Sequence, residues 1–132
     1  MVVDEIGAYL AANGIGTLAV DLFKHVAPDK PDELTIVTEY AGDDPGWVQD
    51  AGLIEVENSR VQIACRAIRP EVCRETAERA YQLLMAIHNN VLSGTRILWC
   101  MPVDTPSMIG RDENGRFMTT VNFRVAKELS SV

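Results

Sequence analysis

Apolar residues recur at helical spacing from the start of the chain: Val2, Val3, Ile6, Tyr9 and Leu10. Asp4 and Glu5 would lie in the first turn, where negative charge suits the positive end of the helix dipole. Gly14 can take the left-handed conformation that closes a helix, so the spacing predicts a helix over 2–13. The period then shortens to two. Leu18, Val20 and Leu22 alternate with Ala19, Asp21 and Phe23, which predicts a strand. Pro28-Asp-Lys-Pro-Asp-Glu33 reads as a turn, because two prolines and three acids do not fit inside a sheet. Leu34–Tyr40 is rich in β-branched residues and predicts a second strand.

Residues 41–60 break the pattern with Gly, Pro and acids, and predict a long acidic surface loop with a short strand at Leu53–Val56. Trp47 lies in it. A Trp in a polar loop either plugs back onto its own core, the reading we favour, or is buried by a partner. Val61, Ile63, Cys65 and Ala67 alternate as a third strand. Pro70 opens the clearest helix, since its missing N–H has no partner to lose in a first turn. Cys73, Ala77, Ala80, Leu84, Ile87 and Val91 follow at steps of three and four, with Gly94 to end the run. This predicts one long helix over about 70–93, some ~33 Å in length. Residues 96–101 predict a fourth strand. Ser107–Arg111 and Phe117–Val125 predict a C-terminal hairpin over about 107–126. The order points to a single α+β domain: a mainly antiparallel β-sheet with an N-terminal helix and one long helix packed on one face.

Charge adds to this. Up to Glu57 the chain holds twelve acidic and two basic residues; from Asn58 onward it holds seven acidic and ten basic. An overall net charge of −7 disfavours tight duplex binding, which needs clustered Lys and Arg. The split suits association through opposite charges, for instance between copies of the chain. A solvated surface with an uneven distribution is the plainer alternative. Three cysteines without a C-x-x-C pair suggest neither a disulfide framework nor a zinc knuckle, and point to reduced, buried thiols in a cytosolic setting. No apolar run of about eighteen residues is present, so no membrane span is expected. The charged N-terminus does not read as a secretory signal.

Candidate chemistry is thin. Asp112, Asn114 and Gly115 imitate the start of a calcium loop, but the twelfth position would be Phe123 and Arg116 intrudes. Asn-Gly between two alternating runs is a hairpin signal, because both residues tolerate positive φ. Asp43 and Asp44 are adjacent carboxylates, more simply solvated than metal-bound. His25 and His88 stand alone. Cys73 with Arg74 lies near a helix start, where a thiol pKa can fall, although packing explains it as well. No nucleophile–base motif or phosphate-binding loop occurs. No catalytic residue, cofactor or metal is therefore expected. Arginine outnumbers lysine nine to three, and arginine forms forked pairs with carboxylates. The acidic loop of one copy could meet arginines of the next, a head-to-tail contact that closes into a ring when the rotation permits. The candidate contact residues are Glu39, Asp43, Asp44, Trp47, Asp50, Arg66, Arg69, Arg111 and Arg116. Pairing within one subunit is the alternative.

A helix ending ANGIG is followed by TIVTEYAGDDP, VQIACRAIRPEVCRETAERAYQLLMAIHN and MIGRDENGRFMTTVNFRV. This order resembles small phage minor capsid proteins related to tail terminators, over nearly the whole chain. The resemblance rests on Glu39-Tyr40 before Gly42 and Pro45, on the strand leading into the long helix, and on the closing hairpin. It implies a structural role. Tail terminators form a ring, commonly of six copies, that caps the tail tube and docks to the head connector or stopper, with DNA passing through without tight binding. It places the protein at the head–tail junction of the virion, after assembly in the host cytoplasm. A head-completion or stopper protein remains an alternative, as does a small metal-dependent enzyme.

Overall fold

The computed structural model of the chain describes residues 2–42 and 56–128, apart from the side chains of residues 41 and 42. The described elements are α1 (Val2–Ala12), β1 (Leu22–Lys24), β2 (Leu34–Gly42), β3 (Val56–Ala67), α2 (Pro70–Met85), β4 (His88–Leu92), β5 (Thr95–Pro102), β6 (Ser107–Arg111) and β7 (Phe117–Glu128). One seven-stranded sheet runs β1-β2-β3-β7-β5-β4, with β6 pairing to β7 beside β5.

This corrects the expected mainly antiparallel sheet with one long helix. The sheet is mixed, because β1 pairs parallel to β2, Leu22 opposite Thr35. Strand is the dominant structure, and the helices are short, 11 and 16 residues. The predicted helix over 70–93 ends at Met85. Ile87 is still buried, so the apolar spacing continues past the true end. Asn89 takes φ 56°, Ser93 49° and Gly94 81°. The last two make a two-residue turn of the twist that suits a hairpin. Leu92 therefore faces Thr95, and β4 covers the edge of β5. Val91, which would continue the helical stripe, is exposed. The predicted first strand also shrinks. The N–H groups of Val20, Asp21 and Leu22 all converge on the Thr17 carbonyl, a tight turn that leaves Leu18 and Val20 exposed.

β3 and β7 form the centre, paired antiparallel over twelve residues each, with Val61 opposite Phe123 and Ile63 opposite Val121. Their odd-numbered residues meet Val2, Ile6 and Leu10 of α1 and Cys73, Ala77, Ala80 and Leu84 of α2 in one core. Tyr9 Oη donates to Leu83 O at 2.8 Å and ties the two helices together. Gly14, at φ 83°, lets Ile15 N–H reach back to Leu10 O at 3.0 Å, which closes α1. β7 has β3 along one edge and β5 followed by β6 along the other. Where β5 hands over to β6, Asp104 accepts from Asn122 N at 2.9 Å and from Asn122 Nδ2 at 2.8 Å, so a side chain stands in for the missing ladder bond.

Candidate functional site

Arg66 sits near the end of β3 on the face away from the helices. Its guanidinium is aimed at the turn before β2. Nη2 donates to Pro28 O at 3.1 Å, Asp29 O at 3.1 Å and Pro31 O at 2.8 Å, and Nε donates to Asp32 O at 3.3 Å. Burial, then the nearby Arg116 charge, pulls its pKa down, and the surrounding carboxylates oppose that. Arg116, just ahead of β7, grips the same turn. It lies 2.8 Å from Asp112 Oδ2, 3.2 Å from Asp29 Oδ1 and 3.5 Å from Asp32 Oδ1, and also donates to Asp29 O. Both arginines are buried. Together they clasp the acidic turn against the β6–β7 hairpin. Asp112 is held below the usual carboxylate range, chiefly by the Arg116 backbone N–H, with partial desolvation opposing and the Arg116 side chain adding to it. Asp32 is also lowered, first by its hydrogen bond from Lys30.

The Asp112–Arg116 turn is thus a structural joint. Asp112 Oδ1 accepts from Asn114 N and Arg116 N, each at 2.9 Å. Gly115 takes φ 75°, whereas Asn114 does not have positive φ. The loop is a turn followed by one left-handed glycine rather than two left-handed residues in succession. Among the described residues, no three of His, Cys, Asp or Glu come together as a metal site.

The other candidate residues are dispersed. Arg69 is exposed and pairs with Glu71 at 2.7 Å. Arg111, on β6, lies 5.9 Å over the ring of Phe117. Glu39, on β2 opposite Val61, is half-buried, and its Oε2 is enclosed without a partner among the described residues. Asp43, Asp44, Trp47 and Asp50 lie outside the described residues. So the structure joins Arg66 with Arg116, and sets Arg69 and Arg111 apart on the surface. Cys73 is packed: its Sγ contacts Pro70 O and Thr119 Oγ1, both at 3.2 Å. Burial pushes the Cys65 and Cys100 thiols up to about 12. Arg74, beside Cys73, is exposed and directed toward β6, a placement that composition and spacing did not single out.

This is a surface of clasps and open edges, with a family to match. A model described as "Bacteriophage tail terminator protein" matches residues 9–129. The chain belongs to the bacteriophage tail terminator family. Its fold resembles a chain from the structure titled "Virion of native gene transfer agent (GTA) particle". That likeness has a TM-score of 0.58 at 15% identity, and covers 96% of this chain and 92% of the other. No curated protein matches the chain. The tail terminator assignment makes it a virion structural protein, which fits the dispersal of its charged residues over edges and turns.

Proposed function

We propose that this protein terminates the phage tail as a ring of identical copies that caps the tail tube and presents a docking face to the head connector. The family match over 9–129 carries this reading. The uneven charge supports it, because an acidic N-terminal portion and a basic remainder let one copy meet the next head to tail. Glu39, Asp43, Asp44, Trp47 and Asp50 supply the acidic side of that contact, and the exposed Arg69 and Arg111 belong to the basic side. Arg66 and Arg116 contribute indirectly by fixing the turn and hairpin that shape the basic side. Six copies is the number the reading expects, with DNA passing through a net negative ring that has little affinity for it. No catalytic step, cofactor or membrane contact enters.

The test is mass measurement of the purified protein combined with electron microscopy in the presence of tail tubes. Closed rings on tube ends are expected. Binding to the portal side of filled heads, with none to tubes, would replace this reading with a head-completion role.

A further inference from the structure

Two asparagines precede a glycine, Asn13-Gly14 and Asn114-Gly115, and both asparagines are exposed. That dipeptide is chemically labile, because glycine has no side chain to keep its backbone nitrogen away from the preceding carboxamide. The fold treats the two differently. At the end of α1 the Asn13 carboxamide is tied down, with Nδ2 donating to Tyr9 O at 2.8 Å. The N–H groups of Asn13 and Ile15 bond back to Tyr9 O at 3.1 Å and Leu10 O at 3.0 Å, and Ile15 is buried. Arg79 Nη2 stands 3.7 Å from the point a Cβ on Gly14 would occupy, and donates to Gly14 O at 3.5 Å. At the β6–β7 tip the Asn114 carboxamide makes no hydrogen bond with any described residue. Apart from its chain neighbours, no atom lies within 4 Å of the corresponding point on Gly115. The Gly14 and Gly115 N–H groups are each engaged, with Ala11 O at 3.2 Å and Asp112 O at 3.1 Å. The glycine amides therefore do not separate the two sites; the asparagine side chains and their surroundings do.

We propose that Asn114 is a site of spontaneous deamidation, and that its isoaspartyl product loosens the hold of Asp112 on the hairpin tip. The Gly115 nitrogen attacks Asn114 Cγ. The N–Cγ bond forms, the Cγ–Nδ2 bond breaks, and the carboxamide nitrogen leaves as ammonia with the Gly115 amide proton. Water from solvent then opens the succinimide ring. Opening at Cγ gives aspartate. Opening at the main-chain carbonyl of residue 114 gives isoaspartate, whose backbone runs through Cβ and Cγ and is one carbon longer. No oxidant or reductant is involved. Asp112 makes the position consequential. Its Oδ1 accepts from Asn114 N and Arg116 N, each at 2.9 Å, and its Oδ2 accepts from Arg116 Nε at 2.8 Å. The added carbon falls between those two backbone N–H groups and spreads them apart, so one oxygen no longer serves both. The new carboxylate also sets a like charge beside Asp112. Through Arg116 the change reaches the turn at Asp29 and Asp32. None of this depends on the subunit forming a ring.

Peptide mass spectrometry of the folded protein, incubated in mildly alkaline buffer, reads both asparagines in one sample. Asn114 should convert about tenfold faster than Asn13, the rate equivalent of the one hydrogen bond that only the Asn13 side chain makes. In denaturing urea, where that bond is lost, the two rates should converge. Equal rates in the folded protein, a faster Asn13, or a ratio that persists in urea would overturn the assignment. The consequence is read by hydrogen exchange on the isoaspartyl form, isolated by chromatography. Its Arg116 N–H should exchange faster than in Asn114→Asp, which carries the same charge without the longer backbone. Matching exchange in the two would show that the lengthened tip leaves the Asp112 hold intact, and that half of the proposal would fall.

Discussion

Arg66 and Arg116 on one side, Arg74 and Arg111 on the other, carry the same side chain to opposite ends. The first two are buried and spend their hydrogen bonds on carbonyls and carboxylates of the 28–32 turn. The second two lie exposed, Arg74 lining a cleft between α2 and β6 and Arg111 over the ring of Phe117, and neither pairs with an acid among the described residues. What separates the pairs is the supply of acceptors. A guanidinium surrounded by backbone oxygens of its own chain becomes a fastener, and one on the open surface keeps its donors for solvent. An even-handed count of positive charge would miss the distinction.

Substitutions in both sets sharpen this contrast. Arg66→Ala should cost about 3 kcal/mol, because it abandons buried carbonyl acceptors as well as a charge. The urea midpoint should fall with an unchanged slope. Arg66→Lys should recover only part of the loss, since an ammonium cannot fork across four carbonyls. A result within error of wild type would make the clasp ornamental.

Acid should act next. Asp112 and Asp32 have folded pKa values below their unfolded ones, so their contribution is complete above the ordinary carboxylate value near 4 and is lost as pH falls through the lower folded values. Thermal melts between about pH 4 and pH 2 should show a steeper fall in wild type than in Asp112→Asn. Parallel curves would remove Asp112 from the clasp's energetics.

The exposed set should respond far less in folding. Arg69→Ala breaks a solvent-screened pair with Glu71 and should change stability by about 0.5 kcal/mol at most. Arg74→Ala should leave monomer stability unchanged within about 0.5 kcal/mol, read by chemical denaturation. A loss as large as that of Arg66→Ala would mean that Arg74 holds its own subunit together.

Much of the central sheet was readable locally. The alternation of Val61, Ile63, Cys65 and Ala67, and of Phe117 through Val125, reports one buried face, because a strand has a period of two. Pro70 marks the start of α2 for an equally local reason. The end of α2 was not read, since buried Ile87 prolongs a helical spacing that the backbone has already left. The corrective signal was present in Ser93-Gly94, a dipeptide that suits a two-residue turn as well as it suits a helix stop. The parallel β1 had no such signal: three residues are too few to show a period, and Leu18 and Val20 suggested a longer strand. The clasp was half legible. The acidic turn announced itself, but the arginines that hold it lie 34 to 87 residues away, and only the fold brings them there. The cleft between α2 and β6 was hidden for the same reason, as only the fold sets Arg74 of α2 beside Met108 and its strand partner Thr119.

The strand β7 touches β3 on one flank and two successive partners on the other. Its middle amides, around Val121 and Phe123, should be the last in the molecule to trade protons for deuterons, because no margin of the sheet can peel away and expose them first. A push delivered to the hairpin tip would thus travel down a single unbroken stave, from one rim of the subunit to the other.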